Sequence, residues 1–129
     1  MTPERKLPVT LVLGGNAAGR EEGIRARLAP GQDIALILEG LADGIERFNQ
    51  ERYPQLRCAR IAPACLCCTG NLTLRVTLNR ILRHPPQHLY ISLANSEHLP
   101  ALCNFLGGAQ YVGWLLPPVI LDVGRAAIT

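Results

Sequence analysis

The sequence predicts a single α/β domain over residues 1–129, a three-layer parallel sheet of about five strands with helices on both faces. Three observations predict it. Short apolar runs recur along the chain, as in strands buried on both faces. Segments with helical spacing separate them, so strand and helix alternate. Glycine and proline pairs punctuate the joins, at Gly14-Gly15, Pro30-Gly31, Pro85-Pro86 and Gly107-Gly108. A chain of 129 residues, 48% of it hydrophobic, suits one domain with a core of its own.

Taken in order, Leu7–Leu13 reads as a buried strand that stops at Gly14-Gly15. A helix over Arg20–Leu28 follows and ends before Pro30-Gly31. Asp33–Leu38 is a second buried strand. Ala42–Arg52 reads as helical, with Ile45 and Phe48 on one face. Leu56–Ile61 alternates as a third strand and Pro63 closes it. Asn71–Arg83 carries Leu72, Val76, Leu78 and Leu82 at helical spacing, with Leu74 and Ile81 adjoining and Asn71 as the expected cap. His88–Leu93 is a fourth strand and Ser96–Leu106 a further helix. Tyr111–Val123 holds one or two strands, broken at Pro117-Pro118.

Composition narrows the function classes. The net charge is +3, and the basic residues are spread along the chain without the run that marks a nucleic-acid footprint. Lys6 is the only lysine, which argues against a lysine-dependent active site. No apolar stretch approaches the roughly 20 residues of a membrane helix. No apolar leader with a cleavage site follows the charged N-terminus. Five cysteines without a leader read as thiols in a cytoplasmic protein, not as a disulfide framework.

The segment from Gly14 to Glu21 has the context of a phosphate-binding loop: strand, glycine-rich turn, helix start. Its spacing fits as well, with Gly14, four residues, then Gly19. A working loop follows with a lysine for the β/γ-phosphates and a hydroxyl for Mg²⁺. Here those positions hold Arg20 and Glu21, with Glu22 beside them. Arginine is a planar fork, not a compact point charge. A carboxylate in place of the hydroxyl opposes a bound triphosphate, although acids in a first helical turn suit the helix dipole. The residues therefore fit a structural strand–turn–helix or a P-loop-like nucleotide site with weak or no hydrolysis. GTP with Mg²⁺ is not expected to be a working cofactor.

Cys65, Cys67 and Cys68 lie between the third strand and the following helix. Thiolates ligate Zn²⁺ and other soft or borderline ions, and two cysteines one residue apart can reach one ion with an adjacent third. A neighbouring helix N-terminus lowers thiol pKa values. The alternative is that some are core thiols. Cys58 and Cys103 are expected in the core, and His84, His88 and His98 at the surface or in loops.

Together, and in this order, the two motifs resemble the CobW-type metallochaperone GTPases. That family shows a strand, a Gly-x-x-Gly-x-Gly-Lys-Thr loop and a later Gly-Cys-x-Cys-Cys-Thr segment before a helix. The matching segment is Ala64-Cys65-Leu66-Cys67-Cys68-Thr69, ahead of Asn71-Leu72. The opening strand from Leu7, Ile34–Glu39 and Leu89–Asn95 also look like family strands, so the resemblance spans roughly residues 7 to 123. It implies a P-loop NTPase-like fold, Zn or Co held by Cys65, Cys67 and Cys68, and a client metalloprotein as partner. The departures are Arg20 and Glu21 in the loop, Ser92 where an acid is expected and Asn95 where a glycine is expected. No Asn-Lys-x-Asp segment occurs to read guanine. The resemblance therefore implies a metal-binding relative without GTPase activity. The apolar run Val112–Leu121 allows a different role, a homodimer contact along an exposed strand edge.

Overall fold

The computed structural model describes residues 5–40, 44–61, 72–94, 97 and 99–126. The elements are β1 (Val9–Leu13), α1 (Ala17–Arg25), β2 (Ile34–Glu39), β3 (Arg57–Ile61), α2 (Leu72–Arg83), β4 (His88–Ser92), α3 (Leu99–Leu106), β5 (Val119–Asp122) and α4 (Val123–Ala126). The five strands form one sheet in the order β3-β2-β4-β1-β5, and each pair is parallel.

β1 and β2 are buried at every position, so both of their faces must be apolar. Alternate residues feed two cores. On one face Val12, Leu36, Leu38 and Tyr90 meet Ile24 of α1, together with Tyr53 and Leu56 of the β2–β3 connection. On the other face Leu11, Ile37, Leu89 and Ile91 meet Leu74 and Leu78 of α2 and Leu102 and Leu106 of α3. The layering follows from handedness. The connection from β1 runs one way along the sheet to β2, and that from β4 runs the other way to β5. Right-handed crossovers in opposite directions lie on opposite faces. The topological switch point therefore lies between the carboxyl ends of the adjacent strands β1 and β4, the place where open α/β sheets form a ligand crevice.

The three-layer parallel sheet of the sequence reading is thus present, with local corrections. Residues 44–56 form bends and turns, not a helix. Gly44 takes φ +84°, and the segment is held by its anchors: Phe48 and Tyr53 pack on the sheet. Ile45 is 62% exposed, so the expected Ile45/Phe48 face does not exist. α1 starts at Ala17, not Arg20, because Asn16 caps it: its Oδ1 accepts from the Gly19 N–H at 2.7 Å. Glu21 and Glu22 consequently fall outside the first helical turn. α2 buries Leu74, Leu78 and Ile81, while Leu72 and Val76 are exposed. Tyr111–Leu115 is a turn that contributes a single bridge, Leu7 to Leu115, before β5 begins. Asn71 lies outside the described residues. Among the described residues no helix is long and apolar enough to cross a membrane.

Candidate functional site

The glycine-rich turn at the carboxyl end of β1 is built for close packing. Gly14 and Gly15 take φ +88° and +57°, a region that favours glycine. A Cβ on Gly14 would sit 2.3 Å from Asp122 Oδ1 and 2.7 Å from the Gly124 nitrogen. Asp122 Oδ1 in turn accepts from the Gly124 N–H at 3.0 Å. The end of β5 and the start of α4 thus close one side of the turn.

Arg20 fills the other side. It points inward from the first turns of α1 and is 3% exposed. Its Nε–H donates to Ser92 Oγ, the last residue of β4, at 2.8 Å. Its Nη1 lies 3.4 Å from the carbonyl oxygens of Gly14 and of Gly15. The guanidinium therefore bridges the carboxyl ends of β1 and β4 and stands in the switch-point crevice. Burial lowers its pKa, and the nearby carboxylates of Glu39 and Glu21 oppose that shift. Glu39 ends β2 and accepts from the Ala94 N–H at 2.7 Å, which ties β2 to the chain leaving β4.

Glu21 is equally buried and faces the sheet edge. Both of its carboxylate oxygens accept from Arg60 of β3 at 2.9 Å, a bidentate pair. Arg47, from the β2–β3 connection, lies 3.6 Å from Glu21 and 3.4 Å from Glu22. Among the described residues no buried side-chain polar atom lacks a partner.

This arrangement reverses the chemistry of a phosphate loop. An anion site aims N–H groups at a negative ligand. Here the loop offers carbonyls to a resident cation of the same chain. Gly14, Gly19, Arg20 and Glu21 lie in the turn after β1 and the start of α1, where Arg20 is committed to Ser92 and the loop, and Glu21 to Arg60. Ser92, noted in the sequence as a missing acid, is the acceptor that holds Arg20. Glu39, Arg47 and Arg60 were not legible as site residues. The signal that could have found them is Glu21 itself, since a carboxylate buried at a strand end needs a cation.

Cys65, Cys67 and Cys68 lie outside the described residues, as do Asn95 and His98. The described residues that flank the cysteines are Ile61, the last of β3, and Leu72, the first of α2. Among the described residues no group of three His, Cys, Asp or Glu side chains could hold a metal. Cys58 is exposed on the edge strand β3, not in the core, because β3 has a neighbour on one side only. Its thiol pKa is raised by desolvation against the neighbouring side chains, opposed by Arg60 and reinforced by Glu21. Cys103 is partly buried against the α2/α3 core. His84 is exposed. His88 departs from the surface reading: it starts β4, bonds Thr10 Oγ1 through Nε2 at 2.8 Å and stacks on Tyr90 at 4.4 Å. Burial lowers its pKa. β5 is an edge strand, and Val119 and Ile120 on it are 64% and 44% exposed.

Compared with protein-family models, with curated proteins and with solved structures, the chain matches none of them.

Proposed function

We propose that this protein is a metal-binding relative of the CobW-type chaperones, holding Zn²⁺ or Co²⁺ through Cys65, Cys67 and Cys68, without GTP hydrolysis. The observation that carries the metal half is the Cys-x-Cys-Cys spacing. The donor set fits the group: thiolates favour these ions over hard cations. When bound, the ion would be cargo or a structural centre, with three protein sulfurs and a further position for water, a side chain or a client.

What supports the other half is the crevice. Phosphoryl transfer relies on positioning, Mg²⁺ and charge neutralisation at the phosphates. Arg20 and Glu21 occupy the two positions that would supply the last two, and both are engaged with protein partners. Opening the crevice to a nucleotide would take from Ser92 the donor that Arg20 supplies.

Metal analysis of the full chain, purified under reducing conditions, tests this reading. The expected result is about one equivalent of Zn²⁺, or of Co²⁺ after loading, with the intense thiolate-to-cobalt absorption of a sulfur-rich site. Cys67→Ser should release the ion and leave thermal stability of the α/β core near the parent value. No ion above background in the reduced parent protein overturns the proposal.

A further inference from the structure

The arginines of α2 are unlike those of α1, the β2–β3 connection and β3. Arg25 and Arg47 pair with Glu22, Arg60 with Glu21, and Arg57 with Asp33. Arg27 donates to the Gly23 carbonyl, and Arg52 lies over the Tyr53 ring. Arg75, Arg80 and Arg83 are exposed, and among the described residues none of them has an ion-pair partner. The sequence explains why. Between Glu51 and Asp122 the chain carries six arginines and a single carboxylate, Glu97.

A groove runs beside these cations. It has a volume of about 410 Å³ and lies between α2 and the turn that follows α3. Asn79, Leu82 and Arg83 form one wall, and Gln110, Tyr111 and Trp114 the other. No acid lines it. Asn79 Oδ1 is taken by the Tyr111 hydroxyl at 3.1 Å, so the amide presents its N–H₂. Arg75 lies near enough to Tyr111 to oppose the rise that burial imposes on the phenol pKa. The groove therefore carries amide donors and one lining cation, Arg83, with Arg75 near Tyr111 and one indole for apolar contact. Leu72 and Val76, 69% and 48% exposed, add apolar surface on the same helix.

We propose that this groove binds an acidic segment of a partner protein, its carboxylates on Arg75 and Arg83 and an apolar side chain against Trp114. Charge complementarity selects the occupant. Arg75 and Arg83 are eight positions apart, about 12 Å along the helix axis. That span exceeds one small anion and matches about four residues of extended chain. The exposed Leu72 and Val76 favour a peptide, whose apolar side chains they can bury, over a nucleic-acid backbone, which offers mainly phosphate charge. The inference is independent of the metal reading, since no cysteine takes part.

Trp114 is the only tryptophan, so its fluorescence reports on the groove directly. The full chain is titrated with a peptide of roughly ten residues alternating glutamate and leucine, long enough to span both arginines. Its glutamine counterpart and a single-stranded oligonucleotide of equal charge serve as comparisons. The acidic peptide should change Trp114 emission saturably, and binding should weaken as salt rises. The glutamine peptide should bind far more weakly. Arg75→Gln with Arg83→Gln keeps both helix-forming stems and should weaken binding about tenfold, with the circular dichroism spectrum unchanged. Arg27→Gln, on the opposite face, should leave binding as it was. The proposal is overturned if the acidic peptide shows no saturable change at Trp114, or if the double variant binds as well as the parent. Oligonucleotide binding as tight as that of the peptide also overturns it and reassigns the patch.

Discussion

The two faces of the sheet carry charge in opposite ways. On the α1 face, Glu21 and Glu22 meet Arg25, Arg47 and Arg60, and Arg20 is buried against Ser92. On the α2/α3 face, Arg75, Arg80 and Arg83 stand in solvent beside an open groove. One face spends its charges on itself, and the other offers them outward. The difference matters because a buried ion loses its hydration and must be compensated by fixed partners, whereas an exposed one needs none. Charge on the first face therefore governs stability, and charge on the second governs association.

The largest effect should come from breaking the first face. Arg20→Ala leaves Ser92 Oγ without its buried donor and removes a cation from the neighbourhood of Glu39 and Glu21, although Glu21 keeps Arg60. A loss of about 1–3 kcal/mol is expected, measured by urea unfolding. Arg20→Lys should recover part of this only, since an ammonium cannot reproduce the fork that reaches Ser92 and the loop carbonyls together. By contrast, Arg75→Gln with Arg83→Gln should move the midpoint little. Equal losses for the two kinds of variant would erase the contrast between the faces.

Much of the fold was legible because the central strands are buried on both sides. The runs at Val9–Leu13, Ile34–Glu39 and His88–Ser92 have no competing reading. Legibility failed where long-range partners decide. α2 has leucine, valine or isoleucine on several sides, so its sequence fits more than one buried stripe. The sheet chose Leu74, Leu78 and Ile81, and left Leu72 and Val76 outside. Ala42–Arg52 looks helical by spacing, yet Phe48 and the following Tyr53 find the sheet from an irregular path. At the candidate site the loop and its altered residues were visible, but the direction of Arg20 was not. Nothing local to Arg20 announces Ser92, which lies 72 positions away.

A smaller effect is expected at the amino end of the same locked face, where His88 meets Thr10 and Tyr90. Burial depresses the His88 pKa below its ordinary 6.5. The unfolded chain then takes up a proton more readily than the folded one, so stability rises with pH through that window. The contribution is complete above about pH 6.5 and is lost as pH falls through the depressed folded value. Thermal midpoints of the parent and of His88→Gln, measured from pH 8 to pH 5, should converge or cross as the pH drops. A difference between them that does not change with pH would mean that burial at β4 does not reach the imidazole.

The smallest effect tests the boundary between the faces. Arg57, on the α2 side, pairs with a carboxylate, Asp33 at 3.2 Å, and it shares a hollow of about 190 Å³ with Arg80. Both partners are more than a third exposed, so the pair is screened by water and salt. Asp33→Asn should cost less than about 1 kcal/mol of stability. It should also release Arg57 to the outward-facing set and strengthen binding of the acidic peptide modestly, most visibly at low salt. A large stability loss with unchanged peptide binding would place Arg57 with the locked network, and the line between the two faces would then run through α2 instead of along the edge of β3.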